Sequence, residues 1–383
     1  MKIAFLTPEF PHEKMGACGG IGTSIFNLSK GLLILGHQVI VLVYGQKEDE
    51  ILEINGIIVH RIKNVKFKGL SWYLTQKKVE RLINALIDED KIDLVEAPDW
   101  SGFTSNIKPN CPMVIRLHGS DTYFCYLDNR PVKSINKFRE NKALRNADAI
   151  LSVSQYTADM TKKMFDLSSN IAIIPNGIDL TNFSSNSSNT NIDLSILYFG
   201  TLIRKKGALE LPAIFNEVYK LNSEVKLILI GKDSSDIISG NQSTWTMMQP
   251  LFDTEAIRNV KYIGSVPYAE MKNYIEDATL CVFPTFAEAL PVSWIEAMGM
   301  GKPIVASNIG WACELIDHGC NGFLEHPLNH KAFAQKINNL LDDKELRMQF
   351  SREAKSKANQ KYGIENVAKQ SVSCYEKIIL NKK

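Results

Sequence analysis

This 383-residue chain is short of several things that would betray a specialised role. It has almost no net charge, 44 lysines and arginines against 42 aspartates and glutamates. A near-neutral chain lacks the basic field of a dedicated nucleic-acid binder. Its seven cysteines, at positions 18, 111, 125, 281, 313, 320 and 374, are odd in number and form no Cys-x-x-Cys pair. A disulfide framework or zinc ribbon is thereby disfavoured, and reduced thiols in a cytoplasmic protein are expected. No apolar run reaches the roughly 18 residues of a membrane span. The nearest approach, Gly31 to Val43, is broken by Gly36-His37-Gln38. The apolar start, Lys2 to Thr7, is too short for a signal peptide and reads as a first strand. The Gly-x-Gly-x-x-Gly fingerprint is absent, which argues against a dehydrogenase. Asp88-Glu89-Asp90 looks like a metal-binding Asp-x-Asp but precedes a strand far from every motif below, so neither metal nor cofactor is expected.

What is present is ordinary globular composition, 45% hydrophobic and 22% charged. The length suits two domains of roughly 170–200 residues. Short apolar runs without polar alternation recur between helical patterns, which predicts parallel sheets covered on both faces. The first series comprises Lys2–Thr7, Gln38–Tyr44, Ile57–Arg61, Leu94–Glu96, Met113–Leu117, Ala149–Val153 and Ile171–Ile174. A polar tract from Ser184 to Asn191 follows, read as a linker or surface loop. The series then restarts with Ser195–Phe199, Lys226–Ile230, Val260–Ile263, Leu280–Phe283 and Ile304–Ser307. The expectation is two tandem α/β Rossmann-like domains with ligand bound between their strand ends. Three amphipathic helices close the chain, Lys331–Leu341, Lys344–Lys361 and Glu365–Leu380, with Gly363 between the last two.

The most informative stretch runs from Phe286 to Gly299. Glu288 and Glu296 stand eight positions apart across a helix start, with Glu288 at the carboxyl end of an apolar strand, where open α/β sheets bind ligands. Pro291 suits the first helical turn. The N–H groups near Ala289, Leu290 and Val292 would then form an anion site, aided by the helix dipole. A carboxylate beside a helix N-terminus implies a ligand carrying both hydroxyls and phosphate.

This spacing resembles the Glu-x7-Glu signature of the retaining glycosyltransferases of family 4, proteins of the GT-B fold. The following Gly301-Lys302-Pro303-Ile304-Val305-Ala306-Ser307-Asn308-Ile309-Gly310 fits the same pattern. The resemblance implies that Glu288 contacts the transferred sugar and Glu296 the donor's ribose. It further implies an acceptor-side domain over 1–178, a donor-side domain over 179–362, and a final helix, 363–383, that crosses back to the first.

Other stretches agree. The glycine-rich Gly16-Ala17-Cys18-Gly19-Gly20-Ile21-Gly22 precedes a helix over Thr23–Leu35 and would let backbone approach a phosphate or sugar, or is a plain loop. In the family, a loop like that of Gly19 and Gly20 faces the cleft. Arg204-Lys205-Lys206-Gly207 sets cations after a strand, as a diphosphate requires. Lys206 matches the family's lysine, Thr201 replaces its arginine, and Arg204 stands in as a substitute. His118 ends a strand, where histidine is commonly structural; the resemblance sets it beside the transferred sugar, with Asp121 nearby. Asp99 beside Trp100 is either an acceptor-sugar contact or a core tryptophan with its neighbour. Asn176-Gly177-Ile178-Asp179 matches the family's interdomain crossing, and Gly264 ends a strand that, the resemblance implies, holds the nucleobase through backbone.

The implied reaction is metal-independent, retaining transfer of a sugar from a UDP- or GDP-sugar to a hydroxyl of a glycan or lipid-linked acceptor, by analogy in bacterial surface polysaccharide synthesis. Lys206, Arg204 and the helix N-terminus would steady the leaving diphosphate. Rival readings are a nucleotide-sugar epimerase, which would need no acceptor, and a non-catalytic binding subunit, against which the presence of Glu288, Glu296 and Lys206 speaks. Two basic-aromatic patches also stand out in the first half. One sets Arg61, Lys63, Lys66, Lys68, Lys77, Lys78 and Arg81 around Phe67, Trp72 and Tyr73; the other sets Arg130 to Arg145 around Phe138. Each is either a solvated face or a peripheral contact with the inner face of the cytoplasmic membrane.

Overall fold

The structure, a computed structural model, describes residues 1–16, 18–181, 183 and 194–382. The polar tract expected to link the domains, 184–191, lies outside the described residues. The chain divides into two compact units, one of Met1–Ile178 with Tyr362–Lys383 and the other of Asp179–Lys361.

Among the described residues, unit 1 is built on an eight-stranded sheet. Its strands are β1 (Lys2–Thr7), β2 (Gln38–Gln46), β3 (Glu50–Ile54), β4 (Ile57–Lys63), β5 (Leu94–Pro98), β6 (Met113–Leu117), β7 (Ala149–Ser152) and β8 (Ile171–Ile173). The spatial order is β3-β4-β2-β1-β5-β6-β7-β8. The period-2 alternation of strands sorts the core onto two faces. From β1, Ala4 and Leu6 join one cluster, with Val79, Ile83 and Leu86 of the helix α2. Ile3 and Phe5 join the other, with Ile25, Leu28 and Leu32 of α1. These helices span Gly20–Ile34 (α1) and Ser71–Asp88 (α2), followed by α3 (Asp121–Leu127), α4 (Ser134–Asn146) and α5 (Gln155–Phe165).

The strand β3 has no counterpart in the expected series. It pairs antiparallel with β4, whereas the other pairings in this sheet are parallel. Asn55 and Gly56 both have positive φ, 52° and 78°, the geometry of a two-residue hairpin turn. A glutamate on each face, Glu50 beside Leu52 and Ile54 and Glu53 beside Ile51, hid the strand from a search for apolar runs.

Unit 2 has a parallel six-stranded sheet in the order β11-β10-β9-β12-β13-β14. The strands are β9 (Ser195–Phe199), β10 (Lys226–Ile230), β11 (Val260–Gly264), β12 (Leu280–Phe283), β13 (Ile304–Ser307) and the unexpected short edge β14 (Phe323–Glu325). Its helices are α6 (Leu211–Leu221), α7 (Thr244–Met248), α8 (Tyr268–Asp277), α9 (Val292–Gly299), α10 (Ala312–Leu315), α11 (His330–Asp342) and α12 (Lys344–Lys361). Because the strands are parallel, the loops after β9, β11 and β12 leave from one edge of the sheet.

The last helix, α13 (Ile364–Lys382), belongs to unit 1, where Val367, Ala368 and Tyr375 complete the core beside α1. A buried polar cluster fixes it there. Arg116 grips Glu96 with two nitrogens, at 2.7 and 3.1 Å, and donates to Ser371 Oγ at 3.1 Å. The Tyr375 hydroxyl donates to Glu96 Oε2 at 2.6 Å. No described helix is long and apolar enough to cross a membrane.

Candidate functional site

In unit 2 the loops after β9 and β12 are stitched together by backbone. Phe286 and Ala287 N–H both donate to the Lys205 carbonyl, at 2.8 and 3.1 Å. Gly207 ends the short 3-10 turn Arg204–Lys206 with φ 72°, and a Cβ there would lie 1.8 Å from the Pro284 carbonyl oxygen. Only glycine permits that approach. The stitching sets Lys206 Nζ 3.0 Å from Glu288 Oε1, a partly buried pair beyond the carboxyl ends of β9 and β12.

The helix α9 begins at Val292, with Pro291 as its N-cap at φ −70° and ψ 121°. Pro291 therefore stands one residue before the helix, not in its first turn: extended ψ suits a residue entering a helix, and proline keeps the chain straight into it. Ala289 and Leu290 are buried in the approach loop. Glu296 lies within the helix, 4% exposed, and accepts from the Tyr268 hydroxyl at 2.6 Å. Burial pushes its carboxyl up to about 7, against the pull of Tyr268 and the positive charge of Lys206.

Arg204 is placed otherwise than as a free substitute for the arginine missing at Thr201. Its Nε and Nη2 hold the two oxygens of Asp236 at 2.9 and 2.8 Å, keeping that buried carboxyl well below the usual range. The fork that would grip a diphosphate is occupied by a neighbouring loop. Gly264 ends β11 with φ 86°, its carbonyl accepting from Gly231 N–H at 2.9 Å.

In unit 1, His118 follows β6 and its backbone N–H donates to Asp99 Oδ1 at 2.8 Å. Burial, then the adjacent Arg116 charge, lowers the imidazole to about 3, so it is neutral at physiological pH. Burial raises the Asp99 carboxyl to about 7, against N–H donation from His118 and helped by the charge of Glu140. Asp99 Oδ2 is buried with no hydrogen-bond partner among the described residues. Trp100, next along, is 37% exposed at the start of the 3-10 turn Trp100–Asn106. Asp121 opens α3, and its Oδ2 accepts from Asn136 Nδ2 at 2.9 Å.

The glycine-rich loop is shorter than expected, since α1 starts at Gly20 with Gly19 as its N-cap. Glu9, which nothing in the sequence singled out, sends Oε1 to the Gly22 N–H at 2.9 Å and lies 3.1 Å from where a Gly19 Cβ would stand. A carboxylate thus already serves this helix start, so a hydroxyl-bearing ligand fits beside it better than a second anion. Asp90, of the superficial Asp-x-Asp, pairs with Lys2 at 2.6 Å.

Comparison with known proteins accords with this architecture. The family described as Glycosyltransferase Family 4 matches residues 18–182, and that described as Glycosyl transferases group 1 matches residues 182–357. An uncharacterised glycosyltransferase of Methanocaldococcus jannaschii is 26% identical over 98% of each chain. The sucrose-phosphate synthase structure from Thermosynechococcus elongatus superposes with a TM-score of 0.80 at 17% identity, covering 100% of both chains. Anabaena HepE, solved in complex with UDP and glucose, gives 0.77 at 20% identity, covering 98% of this chain and 99% of that one. With both halves of the sequence matched and both units Rossmann-like, the chain belongs to the family 4 glycosyltransferases of the GT-B fold.

Proposed function

We propose that this glycosyltransferase is a retaining, metal-independent enzyme that moves a sugar from a UDP- or GDP-sugar to a hydroxyl of a glycan or lipid-linked acceptor, in the cytoplasm and in the service of surface polysaccharide synthesis. The observation that carries the reading is the Lys206–Glu288 pair, a cation and a carboxylate 3.0 Å apart at the ligand edge of unit 2. A nucleotide-sugar presents a diphosphate to the first and sugar hydroxyls to the second.

Lys206 neutralises charge on the departing diphosphate, joined by the first turn of α9 near Ala289, Leu290 and Val292. Arg204 holds the Lys206 loop through Asp236 and contributes position more than direct grip. Glu296 accepts from the ribose hydroxyls, and backbone at Gly264 borders the base. Glu288 orients the sugar and favours positive charge at its anomeric carbon.

In unit 1, neutral His118 donates to or accepts from a sugar hydroxyl without changing charge. Asp99, with an unused buried oxygen, accepts from an acceptor hydroxyl while Trp100 offers a ring face. Asp121 and the Gly19-Gly20 start of α1 border the same ligands. The acceptor oxygen bonds to the anomeric carbon as its bond to phosphate oxygen breaks. The hydroxyl proton passes to that departing oxygen, and the nucleoside diphosphate leaves.

Release of nucleoside diphosphate from a panel of UDP- and GDP-sugars tests the reading. UDP-glucose is the first donor to try, because HepE was solved with UDP and glucose. No release from any donor, together with no binding of UDP or GDP, overturns it.

A further inference from the structure

We infer that unit 1 carries a docking face for an anionic lipid surface, formed by the start of α2 and the outer side of α4 around the turn Trp100–Asn106. The two basic-aromatic stretches are far apart in sequence, and the fold joins them. The Arg139 guanidinium on α4 lies 4.7 Å over the Trp72 ring on α2. Trp72 in turn meets Phe103 of the turn edge-on, at 5.2 Å. Lys142 Nζ donates to Asn106 Oδ1 at 2.6 Å, and Asn106 donates to Gln76 Oε1 at 2.8 Å. A Cβ on Gly102, whose φ is 61°, would sit 2.4 Å from the Arg139 carbonyl carbon, so the turn lies directly on the α4 backbone.

Around this joint, large apolar side chains point to solvent: Phe67 57% exposed, Leu70 50%, Tyr73 45%, Ile135 50% and Phe138 61%. Lys66, Lys68, Lys133 and Lys137 stand exposed between them, and no described acid forms an ion pair with any of the four. Other cations of the two stretches fall out of the face. Arg61 is buried against Glu48 and Glu50, Lys77 and Lys78 pair with Glu80 and Asp49, and Arg130 pairs with Asp128.

The charge is one-sided. Residues 63–78 and 129–145 hold eleven of the 44 basic side chains and one of the 42 acidic ones; with Lys77, Lys78 and Arg130 set aside as paired, eight basic side chains stand against that one acid, leaving 36 basic against 41 acidic elsewhere. That one acid, Glu140, is buried and turned inward to the Asp121 and Thr122 N–H groups. The near-neutral total therefore conceals a basic face on an acidic remainder. Isolated aromatic and aliphatic side chains between lysines match the boundary of an anionic bilayer, where the first enter among the acyl chains and the second meet headgroup phosphates. A nucleic acid would make use of Phe67, Tyr73 and Phe138 but not of Leu70 and Ile135, which offer no stacking surface. The same turn bears Trp100. That the lipid also carries the acceptor rests on the reading of function above; the docking itself does not.

Co-sedimentation of the full chain with phosphatidylcholine vesicles, with and without phosphatidylglycerol, tests the inference. Binding is expected only to the anionic vesicles and should fall with added salt. The paired changes Phe67→Ser with Phe138→Ser, and Lys66→Glu with Lys133→Glu, should each lower partitioning by roughly ten-fold or more. Both pairs are exposed, and neither includes a donor residue of unit 2, so thermal stability and UDP affinity should hold. No binding, equal binding to both vesicle types, undiminished binding by both variants, or preference for single-stranded DNA over vesicles would overturn it. Loss of vesicle binding with intact donor hydrolysis separates this face from the catalytic reading.

Discussion

The Tyr268 hydroxyl, on the first residue of α8, donates to Glu296 Oε1 at 2.6 Å. One oxygen of the buried carboxylate is thereby fixed within the protein, and the proposed function assigns the other to the ribose. Burial holds the carboxyl at about 7, with Tyr268 and Lys206 the groups that favour its ionised form. Ribose hydroxyls donating to the second oxygen would favour that form further.

Nucleoside diphosphate affinity should accordingly rise as pH goes from 6 to 8, beyond whatever the ligand's own phosphate contributes. Glu296→Gln should remove that extra rise and weaken binding by about 1–3 kcal/mol at pH 8, the range for lost hydrogen bonds to a charged group. Titration calorimetry of wild type and variant across this range decides it. Parallel pH profiles of equal affinity would remove Glu296 from the ribose site.

The same group predicts a stability effect of opposite sense. Glu296 protonates at about 7 in the folded chain against an ordinary 4.5, so between those values the folded chain holds an extra proton and stability falls as pH rises. Glu296→Gln should therefore raise the melting temperature at pH 8 and leave it nearly unchanged at pH 4.5. The gain at pH 8 is bounded at about 3 kcal/mol. A melting temperature lowered at pH 8 would show that the carboxylate is better solvated than its burial suggests.

Most of the fold was legible in the sequence because parallel strands buried on both faces are continuous apolar runs. β1, β6, β9, β10, β12 and β13 stand at their expected limits for that reason. The strand β3 escaped because glutamates interrupt its apolar run on both faces, although Asn55-Gly56 was a hairpin signal open to reading. The candidate site was legible only where a local pattern carries it, as at Glu288, Glu296 and Lys206. Glu9 at the start of α1, Asp236 on Arg204 and Tyr268 on Glu296 are partnerships between residues 13 to 32 positions apart in sequence. No periodicity encodes such pairs; they exist only once loops are folded.

Gly207→Ala should disable the donor loop. The substitution strains a left-handed residue and drives a methyl into the Pro284 carbonyl oxygen, 1.8 Å away before relaxation. A loss of 2 kcal/mol or more in stability is expected at such a site, on the order of the larger backbone effects. Denaturant unfolding measures it, and a variant as stable as wild type would show that the loops after β9 and β12 move apart freely.

Chelation addresses how the diphosphate is neutralised. If Lys206 and the start of α9 perform that task, transfer should continue in excess EDTA. Lys206→Ala should then lower turnover by roughly 100-fold or more, as does the loss of one preorganised electrostatic group elsewhere. Activity abolished by EDTA and restored by magnesium or manganese would contradict the assignment.

Stereochemistry tests the mechanism itself. Inversion would need a general base opposite the leaving group to take the acceptor proton. Of the unit 1 carboxylates named for the site, two are already engaged. Asp121 accepts from Asn136 through Oδ2, and Glu9 serves the start of α1. Asp99 has a free oxygen and a carboxyl raised to about 7, which makes it the one serious candidate. Its other oxygen, however, holds the His118 backbone, a task of positioning that Asp99→Asn would preserve. Retention is therefore expected, an α-linked product from an α-linked donor, with Asp99→Asn keeping turnover within about ten-fold of wild type if Asp99 only positions. Proton NMR of the first-formed product reads the anomeric configuration directly. A β-linked product, together with loss of turnover by roughly 1,000-fold or more in Asp99→Asn, would make Asp99 the base and replace the retaining mechanism with an inverting one.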